Sequence, residues 1–279
     1  MAGVSPTAIL SEHLAKLNGQ ISFTAVCDEV MFGTRGTEAI LREQPGLAGD
    51  FMISAEGPGY MDLAVAEKGL LWVDVEVTGP SGHSSRALRK ESAVGKLVAF
   101  MTEIDKLNDE YAALPAELDG VSGNEDNLGL RLSASAGVVG AGTVRSLMAP
   151  MAFAHFDFRL PPGIPASNVK QRLLALANRF EGIQLSYPKE WDPNWEPSNS
   201  RYASLLSDTI ATVRGSAPRM VVRLPGSDAR HWRNRGVPAI CFGPKPTLSA
   251  GVDDYPNEQD VVDCAKIYAL AALKLMASV

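Results

Sequence analysis

The sequence predicts an α/β fold in which both ends of the chain build one mainly parallel sheet around an inserted ferredoxin-like β-α-β-β-α-β unit. Three observations carry this. An apolar, β-branched run, Gln20–Cys27, stops at the adjacent carboxylates Asp28 and Glu29, and is followed by Gly33, Gly36 and a helical pattern. That is how an α/β sheet presents chemistry at the carboxyl end of a strand. From Lys68 the pattern changes to alternation, with Leu71, Val73, Val75 and Val77 between Trp72, Asp74 and Glu76, as in a strand with one wet face. After the proline-punctuated stretch 191–197 the buried strand and helix patterns resume. The boundaries that follow are 1–67 with 191–279 for the first domain and 68–190 for the insert.

Composition sets the class. With 279 residues, 46% hydrophobic and 21% charged, the chain is long enough to bury the cores of two compact units. A formal net charge of −6 without a basic stripe argues against nucleic acid as a partner. The short basic clusters Arg86, Arg89, Lys90 and Arg230, Arg233, Arg235 suit a small carboxylate instead. No apolar run approaches the ~18 residues of a membrane span, and the start lacks the layout of a signal peptide, so the expectation is a cytoplasmic protein without a membrane partner. Three cysteines, Cys27, Cys241 and Cys264, are widely spaced without a CxxC, which predicts small buried side chains rather than disulfides or a thiolate zinc site.

Taken in order, Ser5 and Pro6 open a helix that Gly19 ends, with Ile9, Leu10, Leu14 and Leu17 on one face. A chain that opens directly into a core helix suggests a missing upstream part. Thr37–Glu43 reads as a helix, and Phe51–Ala55 as a second buried strand ending at Glu56. If this strand is parallel to Gln20–Cys27, Glu29 and Glu56 share one crevice. In the insert, a glycine-serine loop over 79–85 precedes a helix predicted over 91–113, a polar loop over 115–127, strands over 128–136 and 151–160, a helix over 166–180 and a strand over 183–187. The return to the first domain brings a helix over 202–213, a strand over 220–224, a turn at Gly226-Ser227-Asp228, a strand over 238–242 and a helix from Asn257.

Several residues are candidates for chemistry. Asp28-Glu29 with Glu56 forms either a solvated turn or a crevice able to hold a metal and a general base. His83 lies in a flexible loop, where binding residues concentrate. Arg159 follows His155 and Asp157 on the polar face of its strand and precedes Leu160-Pro161-Pro162-Gly163. Ser227, Asp228 and Arg230 open a short helical pattern after a strand, which is either an anion-capturing turn or an ordinary capped helix. Gly79-Pro-Ser-Gly-His83 lacks the final glycine of a nucleophile elbow, which disfavours a serine hydrolase.

In combination these stretches resemble the aminoacylase, acetylornithine deacetylase and succinyl-diaminopimelate desuccinylase family of co-catalytic metallopeptidases. Asp28-Glu29 with Gly33 and Gly36 is similar to that family's Asp-Glu-Glu-x-Gly-Gly-x-x-Gly segment, and Ser54-Ala55-Glu56-Gly57-Pro58 to its next carboxylate segment. Gly82-His83-Ser84-Ser85, Arg159 with Pro161-Pro162-Gly163, Ser227-Asp228-Ala229-Arg230 and 236–244 match later motifs in order. The resemblance implies a metallopeptidase-type catalytic domain, its N-terminal part missing, with a lid that dimerises. It implies metal-dependent hydrolysis of an N-acyl amino acid or small peptide, with zinc or another divalent ion held in part by Glu56. Glu29 is then the proton carrier, His83 the oxyanion partner offered to the other subunit, and Arg159, Ser227, Asp228 and Arg230 the substrate-binding groups. The chain departs from this pattern too. The upstream His-x-Asp has no counterpart, Val30 stands at the second Glu position, Ala250 replaces a ligand histidine, and the lid asparagine before Pro150 is not evident. Of the implied ligands only Glu56 remains, so hydrolysis is expected to be impaired. The alternatives are a second polypeptide that supplies the missing part, or a non-catalytic dimer that binds a small carboxylate.

Overall fold

The computed structural model describes residues 18–57, 61–88, 90–246 and 252–277. In chain order the elements are α1 (Thr37–Glu43), β1 (Met52–Ser54), β2 (Leu63–Glu67), β3 (Gly69–Thr78), β4 (Gly82–His83), α2 (Ala93–Asp105), β5 (Ser133–Ala141), β6 (Leu147–Met148), β7 (Met151–Leu160), α3 (Ala166–Ala177), β8 (Ile183–Ser186), β9 (Glu190–Trp191), β10 (Asn194–Trp195), α4 (Arg201–Arg214), β11 (Met220–Arg223), α5 (Ala229–Arg233), β12 (Ala239–Cys241) and α6 (Glu258–Ala277). They divide into two compact units, one of residues 1–67, 115–129 and 194–279, the other of 68–114 and 130–193. No helix among the described residues is long and apolar enough to cross a membrane.

The first unit is an α/β unit around a mixed sheet in the order β1-β12-β2-β10, with β11 also on β2. The pairs β1/β12 and β11/β2 are parallel, and β12/β2 and β10/β2 antiparallel. Strand β2 is buried along its whole length, as befits an apolar run covered on both faces. Leu41 of α1, Ala229 and Trp232 of α5, and Ala64, Val221, Ala239 and Cys241 of the sheet form one core.

Three expectations change here. Residues 20–26 form no strand, and Ile21, Phe23 and Val26 are exposed. Strand β1 pairs only with β12 among the described residues, so the run has no neighbour to satisfy its backbone donors and acceptors, and apolar β-branched sequence alone does not hold a strand. Cys27 is likewise exposed, whereas Cys241 and Cys264 are buried. The predicted helix over 5–19 lies outside the described residues except at its end. The segment Pro115–Gly129, read from sequence as part of the insert, packs with the first unit: Ser122 bridges Val221, and its backbone bonds Met220 and Val222.

The second unit is an antiparallel sheet in the order β5-β7-β3-β8, with β9 also on β3, and its chain order β3-α2-β5-β7-α3-β8 is ferredoxin-like. Alternation decides its two faces. Val73, Val75, Val77, Ala154, Phe156 and Phe158 are buried in a core shared with Leu97 and Phe100 of α2 and Val169 and Leu173 of α3. Trp72, Asp74, His155 and Asp157 point the other way. Helix α2 starts at an N-cap, Ser92 Oγ accepting from Gly95 N at 3.0 Å, and ends at Asp105, well before residue 113. Beyond it Asn108 clamps Ala134, accepting from its N–H at 2.9 Å and donating to its carbonyl at 3.2 Å. Strand β5 begins at Ser133 rather than near 128, because residues 128–130 still turn, with Gly129 N bonding the Gly123 carbonyl at 2.7 Å.

Candidate functional site

The loop after Cys27 folds on itself. Asp28, at φ 74°, offers its carbonyl to Met31 N (3.0 Å) and Gly33 N (2.7 Å), and its carboxylate accepts from Arg35 N at 2.9 Å. The glycines have a packing reason. Gly33 sits at φ 69°, and a β-carbon there would lie 2.6 Å from Asp228 Oδ1; one at Gly36 would lie 2.0 Å from the Cys27 carbonyl oxygen. The Phe32 carbonyl is held by Arg230 Nη2 at 2.5 Å and faces His231 Nε2 at 3.2 Å. The loop that carries Glu29 is thus seated on α5.

Around that loop the first unit gathers carboxylates and guanidiniums. Glu56, just beyond β1, accepts from Ser54 Oγ at 3.0 Å through Oε1 and from Arg223 Nη2 at 3.1 Å through Oε2. Asp228 Oδ2 accepts from the buried Thr37 hydroxyl at 2.5 Å, while its Oδ1 is buried without a hydrogen bond among the described residues, 3.8 Å from His231 Nε2. Ser227 donates to Glu67 Oε2 at 2.5 Å. Glu67 also accepts from Asn194 at 3.2 Å and lies 3.5 Å from Arg233 Nη1. Ser227, Asp228 and Arg230 are all buried.

Charge follows from these neighbours. Burial raises the Glu29 carboxyl above its ordinary value; the Glu56 and Asp228 charges add to this, while Arg223 and Arg230 oppose it. Burial lowers the His231 imidazole below its ordinary value, and the adjacent Arg230 lowers it further, which keeps the ring neutral at neutral pH.

Sequence reasoning placed Glu29 and Glu56 in one neighbourhood, and they interact electrostatically here. It missed Glu67 and Arg223. Glu67 carried a readable signal, since it ends the apolar run Leu63–Ala66 just as Glu56 follows Met52–Ser54. Arg223 closes β11, and nothing in its local sequence names its partner 167 residues away.

The remaining candidates belong to the second unit. His83 is exposed on β4, which pairs with β6, and its Nδ1 lies 2.9 Å from Ser85 Oγ. Arg159 on β7 makes a bidentate pair with Asp157, at 2.7 and 3.0 Å, and Trp72 Nε1 donates to the same carboxylate at 3.1 Å. Strand β5 is the edge of this sheet. Its sequence, Ser133–Ala141, is uncharged, and Val138 and Val139 remain 50% and 53% exposed.

Among the described residues, the donor set of the first unit does not fit a dinuclear metal centre. No group of three or more His, Cys, Asp or Glu side chains that could hold an ion occurs among the described residues. Both oxygens of Glu56 are committed to Ser54 and Arg223. Val30 offers no donor atom and points to solvent, 85% exposed, and Ala250 lies outside the described residues.

Comparison with known proteins finds similarity to peptidases and an aminoacylase. Residues 65–182 match the family model of the peptidase dimerisation domain. Aminoacylase-1 of Sus scrofa is 23% identical over 93% of this chain and 64% of its own length. A probable carboxypeptidase of Emericella nidulans is 33% identical over 43% of this chain and 27% of its own. The chain therefore spans less than two thirds of the length of these curated relatives. Among solved structures, a tripeptidase from Staphylococcus aureus superposes with a TM-score of 0.75 at 12% identity, covering 100% of this chain and 69% of its own. A dinuclear metal-binding peptidase of the M20 family from Bacillus subtilis does so with a TM-score of 0.71 at 12% identity, covering 100% and 71%.

Proposed function

We propose that this chain, whose residues 65–182 match the peptidase dimerisation domain, is a homodimer of the M20 peptidase kind which binds a small N-acyl amino acid or peptide, and that as it stands it binds this ligand without hydrolysing it. The observation that carries the reading is Glu56. It is the one carboxylate that the family resemblance assigns to metal, and its two oxygens are bonded to Ser54 and Arg223. Metal-assisted hydrolysis requires ligands that hold an ion able to activate water, and a carboxylate already neutralised by a guanidinium contributes little to that. Dimerisation through the insert is supported by the peptidase dimerisation domain match and by the uncharged edge strand β5. Arg159, part-exposed on β7 beside Asp157, is the group suited to the ligand's carboxylate.

One observation favours a second reading. The raised Glu29 carboxyl has the character of a general base, which suits a hydrolase whose remaining ligands come from another polypeptide. Titration calorimetry with N-acetyl amino acids, run beside an N-acyl hydrolysis assay with and without manganese or zinc, separates the two. Binding without turnover supports the first reading. Turnover that disappears in Glu29→Gln supports the second, and neither binding nor turnover overturns both.

A further inference from the structure

Basic side chains gather at one end of the antiparallel sheet of the second unit, on the face opposite its helices. Ser133 lies directly beside Arg159 in the β5/β7 ladder. Leu132 and Phe158 point into the core, so alternation sends Arg131, Ser133, Asp157 and Arg159 out of the other face. Lys68, 3% exposed, reaches the same place: its Nζ donates to the Arg131 carbonyl at 2.6 Å and lies 3.5 Å from Ser133 Oγ. Burial and then the Arg131 and Arg159 charges push the Lys68 ammonium down, as this shared neighbourhood requires.

The two guanidiniums are in different states. Arg159 gives its Nε and Nη2 to Asp157, and Trp72 fixes that carboxylate from its other side, so this charge is paired and its plane is set. Arg131 makes no ion pair among the described residues, and its Nε is buried without a hydrogen-bond partner there. The backbone around it is nonetheless fixed, by a bridge to Tyr111 and by the Lys68 bond to its carbonyl. A buried donor left unmade is costly, and a carboxylate removes that cost because it accepts two parallel N–H bonds from one guanidinium.

We propose that Arg131 is the principal anchor for the carboxylate of the ligand: a small carboxylate docks on its open fork beside Ser133, and Arg159, oriented by Asp157, flanks it. This deepens the reading above, on which it rests, by naming the residue that selects ligands with a free carboxylate. The selection is electrostatic and directional, so an amide of the same shape is a poor substitute.

Isothermal titration calorimetry of the full chain at neutral pH and low salt tests it with three probes: N-acetyl-L-alanine, its carboxamide, and succinate, which carries carboxylates but no amide. The parent is expected to bind N-acetyl-L-alanine about thirtyfold more tightly than the carboxamide. Arg131→Gln should erase that preference by weakening only the carboxylate ligand, and Arg131→Lys should restore part of it. Arg179→Gln, on the helical side of the sheet, is the control and should bind as the parent does. The preference of the parent needs no variant, so it decides the matter even if Arg131→Gln fails to fold. Succinate separates the two readings: binding that Arg131→Gln weakens supports the anchor even where N-acetyl-L-alanine does not bind. Equal affinity of the parent for acid and amide overturns the proposal, as does unchanged binding in Arg131→Gln, equal weakening in Arg179→Gln, or a parent that binds neither acid.

Discussion

Replacing both Val138 and Val139 by lysine should break the proposed dimer while leaving each unit folded. These valines sit on β5, the edge of the antiparallel sheet, Val138 beside His155 and Val139 beside Ala154. Successive residues point to opposite faces, yet the two are 50% and 53% exposed, so the strand is open on both faces. An uncharged, exposed edge strand without a proline is a template for pairing with another strand, and lysine is the residue that natural edges use to prevent it. Fully burying a valine is worth about 1.5 kcal/mol or more, and about half of each is already covered, leaving about 0.8 kcal/mol apiece. Two valines on each of two copies give about 3 kcal/mol, roughly a hundredfold in Kd, before counting lost strand pairing. Sedimentation velocity across a dilution series reads this directly. Val262→Lys in the first unit, at 47% exposure, is the control and should leave the dimer unchanged. An unaltered Kd in the double lysine variant, or equal weakening by Val262→Lys, would refute the edge-strand argument.

Three further outcomes follow from buried groups. Gly33→Ala forces a β-carbon into a left-handed position 2.6 Å from Asp228 Oδ1, which costs about 1 kcal/mol of backbone strain and about 1 kcal/mol from disturbing the Thr37 bond; faster amide exchange over residues 28–36 is the expected readout, and unchanged protection would contradict it. The Glu29 carboxyl is raised on folding, so the unfolded chain releases its proton first as pH climbs above 4.5, and stability falls through that window. Glu29→Gln should remove this fall, and parallel stability-pH curves would show the group to be unperturbed. Lys68, bonded to the Arg131 carbonyl at 2.6 Å, is pushed down to about 8, first by burial and then by the Arg131 and Arg159 charges. Both states are charged below pH 8 and both neutral above 10.5, so stability should rise between those values, by on the order of 3 kcal/mol, and Lys68→Met should flatten the rise in a chemical denaturation series.

What the sequence made legible depended on whether the deciding contacts were local. Strand β7 runs from Met151 to Leu160 as its alternation indicates, because one packed face and one wet face impose period two on the residues themselves. Helix α4 is equally plain, with Ser200 as cap and Gly215 as terminator. The run 20–27 carries the same kind of apolar signal, but a strand is stabilised by its neighbour, and none of the described residues pairs with it. The site divides along the same line. Paired acids and glycines at 28–36 stand out because the loop's geometry is local, and Gly33 and Gly36 are needed for close approaches that any side chain would block. Glu67 and Arg223 escaped because their meaning lies in partners far along the chain, Ser227 and Glu56.

The buried charges of the first unit show why guanidiniums rather than ammonium groups are used there. Arg223 donates to the Gly226 carbonyl as well as to Glu56, and Arg233 donates to the Ala239 carbonyl and Asn194 while facing Glu67. Arg230 reaches the Ser227 and Phe32 carbonyls. Each planar fork thus ties backbone to the charge network, which a lysine point charge does less well and a bare ion does not do from a side chain. Arg230 thereby seats the Glu29 loop on α5, while Arg223 and Arg233 compensate Glu56 and Glu67.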